Sequence, residues 1–222
     1  MERSVLDVEQ TRQMFLFVAR AMVDEKDHLT KLDQAIGDAD HGIGIARGFE
    51  AVDKDFREAA FDSVGAVLKK VGTVLMMSIG GASGAIFGTF FRGGAVNLMD
   101  ADRLDGHALA LLLNDGCSAV KQRGGARAGD KTMLDALIPA ASKSTELAKA
   151  PLHQALIVVS DAAREGMENT KSMLAATGKA KTLGQRAVGH IDPGAATTYL
   201  ILKHMLTFTT MTESQKGGSA TV

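Results

Sequence analysis

The sequence predicts an all-α protein, an eight-helix antiparallel up-and-down barrel or bundle, and three observations support this. Alanine, the strongest helix former, accounts for 33 of the 222 residues. Apolar residues recur at helical spacing, and few runs alternate with polar residues. Only three prolines occur. The 24 glycines are costly inside helices, so we expect them to be concentrated between helices.

The composition limits the classes of function. Lys plus Arg total 25 and Asp plus Glu total 26, which gives no support to a basic nucleic-acid-binding surface. The single cysteine, Cys117, excludes an internal disulfide framework and fits a reducing compartment. The uncharged stretch 71–91 has the glycine-rich run Gly80–Gly84 at its centre, which favours a buried helix–loop–helix over a membrane span. With no secretory start signal, we expect a cytoplasmic protein that binds neither nucleic acid nor membrane.

Eight helices are predicted along the chain. The first begins at Asp7, with Gln10 at the third position of a capping box, and its apolar pattern continues to about His28. The others are predicted at about Ile43–Phe56, Ser63–Met77, Ser83–Leu98, Gly106–Gln122, Met133–Leu147, Leu152–Ala176 and Ala195–Thr209. Together they are predicted to form one domain over residues 1–211, followed by a disordered tail over residues 212–222.

Alternate connections differ in composition. The links at about 33–42, 78–84, 123–132 and 178–194 are rich in glycine and charged residues, whereas the three links between them are not. Short connections favour antiparallel neighbours, so in an up-and-down arrangement these four links lie at the same end. We therefore expect the unusual loop chemistry to converge on one rim.

Three carboxylates, those of Asp33, Asp38 and Asp40, fall within eight residues. Unpaired, they would repel one another, and a divalent cation such as Mg²⁺ or Ca²⁺ would remove that cost. The pattern lacks the alternating ligands and the closing glutamate of an EF-hand. The alternative is that they are solvated loop aspartates that cap helices.

The glycine-rich links could bind phosphate, but each also has a structural interpretation. Backbone amides at Gly80–Gly84 could hold phosphate oxygens, or Gly84 and Gly88 could simply allow close helix packing. The 124–132 segment has P-loop-like spacing, but an aspartate precedes its Lys-Thr pair and no strand precedes it, so we reject a P-loop. A glycine loop that contacts a nucleotide stays open, with Lys131 and Thr132 near the start of a helix. At the fourth link, Asp192 and Pro193 are typical of a helix start.

Four motifs, in this order, resemble the nucleotide-binding L subunit of bacterial dihydroxyacetone kinases. They are Gly37–Gly42, Gly80–Gly84 with Phe87–Phe91, Gly129–Met133, and Gly189–Gly194. The resemblance covers about residues 8–209 and implies an eight-helix barrel with a nucleotide at its mouth.

The resemblance also implies a site and partners. Asp33, Asp38 and Asp40 would hold two Mg²⁺ ions that bridge the phosphates of ADP or ATP. The nucleotide site would comprise His41, Gly42, Ile43, Gly44, Ala82, Ser83, Gly124, Thr132, Met133, Lys179, Asp192, Pro193 and Gly194. The expected partners are a substrate-binding K subunit and a phosphohistidine protein of the phosphotransferase system, which would convert bound ADP to ATP in place.

At two places the sequence differs from the phosphotransferase-system branch of this family, so the identities of the phosphoryl donor and of the phosphoryl acceptor stay open. Gly44 and Ile45 stand where that branch usually has asparagine and methionine, and Lys179 stands where it usually has arginine. Lysine cannot reproduce the bidentate fork of arginine. Free ATP is therefore an alternative donor, and a related ketose such as erythrulose is an alternative acceptor.

Two other classes of function are alternatives to a kinase subunit. A non-catalytic nucleotide sensor could dock to a transcription regulator through the same barrel mouth. A helical Mg²⁺-dependent prenyl diphosphate enzyme would carry its aspartates within helices and need a large aromatic pocket, which nine Phe and one Tyr hardly supply. We expect a kinase subunit that carries no catalytic base of its own and is active only with its partner.

Overall fold

The computed structural model describes residues 3–211, and within them nine α-helices form a barrel. Their bounds are α1 Val8–Asp24, α2 Lys26–Ile36, α3 His41–Phe56, α4 Val64–Ser78, α5 Gly81–Gly94, α6 Gly106–Gly124, α7 Met133–Glu146, α8 Leu152–Asn169 and α9 Pro193–Thr210. From α3 onward each helix packs against the next along the chain, and α9 also packs against α1, which closes the ring. The prediction of an all-α barrel is confirmed.

The predicted count of eight helices is wrong by one within the described residues. The segment predicted as a single helix from Asp7 to His28 is divided at Glu25, whose φ of −80° and ψ of 1° leave the helical region. The two pieces, α1 and α2, hardly touch each other and both pack against α3, so they occupy one position of the barrel. Alternate links therefore still lie at the same end of the barrel, as the sequence predicts, despite the additional helix.

Other predicted boundaries shift by several residues. The fourth predicted helix begins two residues earlier, at Gly81, and ends at Gly94, before a 3-10 turn at Val96–Leu98. The helix predicted to reach Ala176 ends at Asn169 and is followed by a 3-10 turn at Thr170–Ser172. The link before α9, for which no helix is predicted, contains two short 3-10 turns within Lys179–Ala187, separated by a kink at Gly184.

Side-chain caps fix several helix starts. The predicted capping box at α1 is present, with the Gln10 amide donating to Asp7 Oδ1 at 2.7 Å and the Asp7 amide donating to Gln10 Oε1 at 3.1 Å. Asp192 caps α9, and Pro193 occupies its first turn, as predicted. In contrast, neither α3 nor α5 receives a hydrogen bond to its first turn from its N-cap side chain. The first amide of α3, that of His41, donates to Asp33 instead, whereas the first amides of α5 are left for another acceptor.

The core lies along the barrel axis, where the apolar stripes of the helices meet. The rings of Phe15 on α1 and Phe91 on α5 pack edge to face there, with centroids 5.6 Å apart. Between α4 and α5 the backbones approach closely, because a Cβ on Gly72 would lie 2.7 Å from the Gly88 carbonyl oxygen. The glycine spacing on α5 thus serves helix packing as well as the loop.

The end of the barrel opposite the start of α9 is held together by backbone hydrogen bonds. Two short antiparallel strands, β1 Leu6–Asp7 and β2 Arg103–Leu104, pair there. Arg3 donates its amide to the Thr209 carbonyl at 3.2 Å, which joins the segment before β1 to the end of α9. Within the described residues no helix combines the length and the hydrophobicity that a membrane crossing requires. The single-domain division stays a prediction, and the predicted tail, 212–222, lies outside the described residues.

Candidate functional site

A cavity of about 600 Å³ opens at one end of the barrel. All four of the links predicted to be unusual contribute to its lining, through residues within 33–47, 79–87, 131–133, 177–180 and 192–194. Its volume is in the range of a small-molecule or nucleotide site. The predicted convergence of these links on one rim is therefore confirmed.

The three aspartates meet at the edge of this cavity. Single carboxylate oxygens of Asp33, Asp38 and Asp40 lie within 4.8 Å of one another. Asp33 is buried in the last turn of α2, rather than in the predicted loop, and its Oδ2 accepts a hydrogen bond from the His41 amide at 3.1 Å. Asp38 and Asp40 are exposed on the link to α3, separated by Ala39, whose φ of +63° is uncommon for a residue with a side chain.

A lysine from the opposite side of the mouth pairs with two of these carboxylates. Lys179 Nζ donates to Asp38 Oδ2 and lies 3.3 Å from Asp40 Oδ2. This hydrogen bond from Lys179 lowers the pKa of Asp38 below its usual range and raises the pKa of Lys179. The acidic cluster thus already attracts a cation, and its hard oxygen donors suit Mg²⁺.

Two helix starts without side-chain caps line the cavity next to the aspartates. At α5, Gly80 and Gly81 have φ values of +79° and +56°, which glycine adopts most readily. A Cβ on Gly81 would meet nothing within 4 Å, so the space in front of this turn is open. The first amides of α5 and the positive ends of both helix dipoles therefore provide a site for an anion beside a site for a cation.

His41 connects three helices beneath the cavity. Its Nδ1 lies 3.2 Å from Ser83 Oγ on α5, and its Nε2 lies 2.8 Å from Thr197 Oγ1 on α9. Burial lowers the pKa of the imidazole, so the ring is neutral at pH 7. With both nitrogens hydrogen-bonded, His41 holds the starts of α3 and α5 at a fixed separation.

A cluster of ionisable side chains lies where α7 and α9 begin. Asp192 accepts a hydrogen bond from the Ala195 amide at 2.7 Å, and burial raises its pKa to about 7. Asp135 accepts from the amides of Gly129 at 2.5 Å and Thr132 at 2.8 Å, which fixes the glycine-rich turn before α7. The neighbouring ammonium of Lys131 is buried, and burial lowers its pKa.

The structure brings most of the predicted site residues to the cavity. Those that line it are Asp33, Asp38, Asp40, His41, Ile43, Gly44, Ala82, Ser83, Thr132, Met133, Lys179, Asp192, Pro193 and Gly194. Gly42 and Gly124 do not: Gly42 packs against the backbone of α2, and Gly124, the last residue of α6, faces Ile86.

Sequence reasoning left some lining residues out of the site. Arg47 lines the cavity and donates its Nε to the Ser78 carbonyl at 2.7 Å, and so caps the end of α4. The clue available in the sequence was its place one helical turn after Ile43. Lys131, which the sequence placed in a loop that could contact a nucleotide but not among the predicted site residues, also lines the cavity, although its ammonium is buried. Thr197 had no local signal, because its role depends on a histidine 156 residues away.

The chain is similar to known proteins over most of its length. The DAK2 domain family matches residues 35–207. The ADP-binding subunit DhaL of the PEP-dependent dihydroxyacetone kinase of Escherichia coli is 39% identical over 184 residues, which is 82% of this chain and 87% of that one. The L-erythrulose 1-kinase of Mycolicibacterium smegmatis is 30% identical over 203 residues, and the match spans 90% of this chain but only 34% of the relative.

A solved structure matches in fold as well. The dihydroxyacetone kinase from C. freundii, in complex with AMP-PNP and Mg²⁺, aligns with a TM-score of 0.72 and 25% sequence identity. The alignment covers 93% of this chain and 35% of that one, so this chain corresponds to about a third of the larger protein.

Proposed function

The chain belongs to the DAK2 domain family, and from this premise we propose that it is the nucleotide-binding subunit of a dihydroxyacetone or short-ketose kinase. It binds ADP or ATP with Mg²⁺, and the phosphoryl group passes to a ketose held on a separate K subunit. The observation that carries this proposal is the meeting of three carboxylates and the uncapped start of α5 in one cavity.

The residues of the cavity fit a metal-bound polyphosphate. Asp33, Asp38 and Asp40 provide the hard oxygen donors for Mg²⁺, and two ions are proposed, as the family resemblance implies. The amides at the start of α5, together with Ser83, are placed to hold phosphate oxygens. When bound, Mg²⁺ neutralises charge on the phosphates, while this chain supplies positioning and electrostatic stabilisation. The base for the ketose hydroxyl is assigned to the K subunit.

The phosphoryl donor is proposed to be a phosphohistidine protein of the phosphotransferase system, which rephosphorylates ADP in place. The similarity to the Escherichia coli subunit, over most of both chains, favours this donor. Use of free ATP, with erythrulose as a possible acceptor, is the second candidate, favoured by Lys179 in place of arginine and by the erythrulose kinase relative. Mass spectrometry of the ligand released from the purified chain distinguishes them, because retained ADP supports the first and an empty site the second.

The test of the proposal is the substitution Asp38→Asn in the full chain, assayed with a K subunit and a phosphoryl donor. Removing one of three clustered carboxylates should lower ketose phosphorylation by at least about tenfold. Asp62→Asn, which removes an exposed carboxylate from the link between α3 and α4, is the control and should leave the rate unchanged. Full activity of Asp38→Asn would refute the proposed metal site.

A second measurement separates the kinase from the other proposed class, a nucleotide sensor that docks to a transcription regulator. The isolated chain should be inactive toward the sugar, and activity should appear only when the K subunit is added. Phosphorylation of the sugar by the purified chain alone would refute the subunit assignment. Regulator binding that survives Asp38→Asn, with no turnover by the wild-type chain, would favour the sensor.

A further inference from the structure

The 171–190 loop, between α8 and α9, crosses the mouth of the cavity, where polar contacts hold it: Lys179 pairs with Asp38, and the Ala176 amide donates to the Asp130 carbonyl. Nearly all of its side chains are exposed or half-exposed, and Ala187 is its one buried residue. Gly178 and Gly184 have positive φ, so its backbone includes conformations that glycine adopts most readily. Segments with so little buried apolar surface open easily, so the placement of this loop depends on how its base is held.

Lys131 holds that base. Its Nζ donates to the Thr170 carbonyl, just before the loop, and to the His190 carbonyl, the last residue of the loop, each at 2.5 Å. The Gly189 amide also donates a hydrogen bond to the Lys171 carbonyl at 2.7 Å, which joins the same two ends of the loop. One ammonium from the start of α7 therefore joins both ends of a segment that is remote from it in sequence.

Two features of Lys131 cost folding free energy, namely the burial of its ammonium and its backbone conformation. The residue is only 2% exposed, and an ammonium removed from water requires hydrogen bonds or opposite charge. Its φ of +61° is unusual for any residue with a side chain, and glycine would relieve that strain. The two carbonyl bonds, with the nearby carboxylate of Asp135, offset these costs.

We propose that Lys131 is a positioning residue that closes the 171–190 loop and thereby holds Lys179 against Asp38 and Asp40. Lys131 reaches its carbonyl partners at the loop base, whereas Lys179 lies in the middle of the loop at the acidic cluster. The placement of the loop is a property of the chain without ligand. Its effect on nucleotide binding rests on the proposed function.

Hydrogen exchange of the full chain without nucleotide tests the placement. Lys131→Met removes the donors while keeping most of the side-chain volume, and exchange within residues 171–190 should become about ten- to a hundredfold faster. Lys181→Met removes the same charge from an exposed position of the same loop and is the matched control. Unchanged exchange in the loop overturns the proposal, and so does an equal acceleration throughout the chain, which would indicate a general structural role.

A milder variant keeps the test valid if Lys131→Met does not fold. Lys131→Gln places no charge in the interior and keeps an amide that can donate to one carbonyl, so a smaller acceleration confined to the loop is expected. The melting temperature and the helical circular dichroism signal establish that each variant is folded before exchange is measured. In a folded Lys131→Gln chain, loop exchange equal to that of wild type overturns the proposal.

A double-mutant cycle on Mg²⁺–ADP affinity tests whether Lys131 acts through Lys179. Lys131→Met should weaken binding in the wild-type chain but have little further effect once Lys179→Met is present. Fully additive losses would overturn the coupling. If the wild-type chain binds no Mg²⁺–ADP, the proposed function fails, whereas the exchange experiment still decides the role of Lys131.

Discussion

The substitution Gly42→Ala tests whether close packing of α3 against α2 sets the geometry of the acidic cluster. A Cβ on Gly42 would lie 2.5 Å from the backbone nitrogen of Thr30 and closer still to the Lys26 carbonyl oxygen. Both atoms belong to the backbone of α2, so a side-chain rotation cannot relieve the clash. Since ordinary contact begins at 3.4 Å, the two helices must separate by about 1 Å.

Two opposing effects determine how much Gly42→Ala changes the free energy of unfolding. Overpacking of this kind costs about 1–3 kcal/mol, whereas alanine in place of a helical glycine contributes about 0.5–1 kcal/mol. At the midpoints of these ranges the net loss is about 1 kcal/mol, which corresponds to a melting temperature roughly 2–5 °C lower for a chain of this size. Because α2 carries Asp33 and the α3 side carries Asp40, the separation should also weaken Mg²⁺–ADP affinity about 10- to 100-fold.

The assay is thermal unfolding together with calorimetric titration of Mg²⁺–ADP. Gly44→Ala is the matched control, two residues along the same helix, where a Cβ would meet only Ile79 atoms at 3.3–3.4 Å. The slight crowding against Ile79 should cost no more than alanine gains in the helix, so this variant should be at least as stable as wild type. The reasoning is refuted if Gly42→Ala melts at the wild-type temperature, or if it is destabilised but binds Mg²⁺–ADP with wild-type affinity.

Two further predictions concern charges in and beside the cavity. Lys179→Met removes the ammonium paired with Asp38 and Asp40. Mg²⁺ alone should then bind about two- to fivefold more tightly, while Mg²⁺–ADP binds more weakly. Weaker Mg²⁺ binding in a metal titration would contradict this prediction. Asp192 has a pKa raised to about 7, so its folded form keeps a proton that the unfolded chain loses near pH 4. Its contribution to stability therefore falls as the pH rises from about 4 to about 7, and the melting temperature of Asp192→Asn relative to wild type should rise across that window and then level off. A constant difference would show that burial does not perturb this carboxyl.

The sequence was sufficient to predict the architecture of the rim because the signals there are local. Glycine and aspartate accumulate in alternate links, and helix starts at Asp7 and Asp192 are encoded by their own side chains. The break at Glu25 had no such signal, since neither proline nor glycine lies near it. There the side chain of Glu25 meets His204 of α9, 3.6 Å away, and a tertiary contact of this kind cannot be read from helical periodicity.

The difference between local signals and tertiary contacts also decides which site residues could be predicted. The aspartates were found because they are close in sequence, although Asp33 proved to be part of a helix. The partners of His41 and Lys131 were not predictable, because Thr197 and Thr170 are brought to them only by closure of the barrel. Lys131 resembled a displaced P-loop lysine in the sequence, whereas its buried ammonium is bonded to backbone carbonyls.

The hydrogen bond from Arg3 to Thr209 has a practical consequence for protein engineering. Helix α9 runs for 18 residues from the cavity to this point, a length of about 27 Å. A short linker between residues 3 and 209 could therefore join the two segments, and new termini could be opened in the exposed link near residue 58. Such a circular permutant would keep every cavity residue in place while changing the order in which the helices are synthesised.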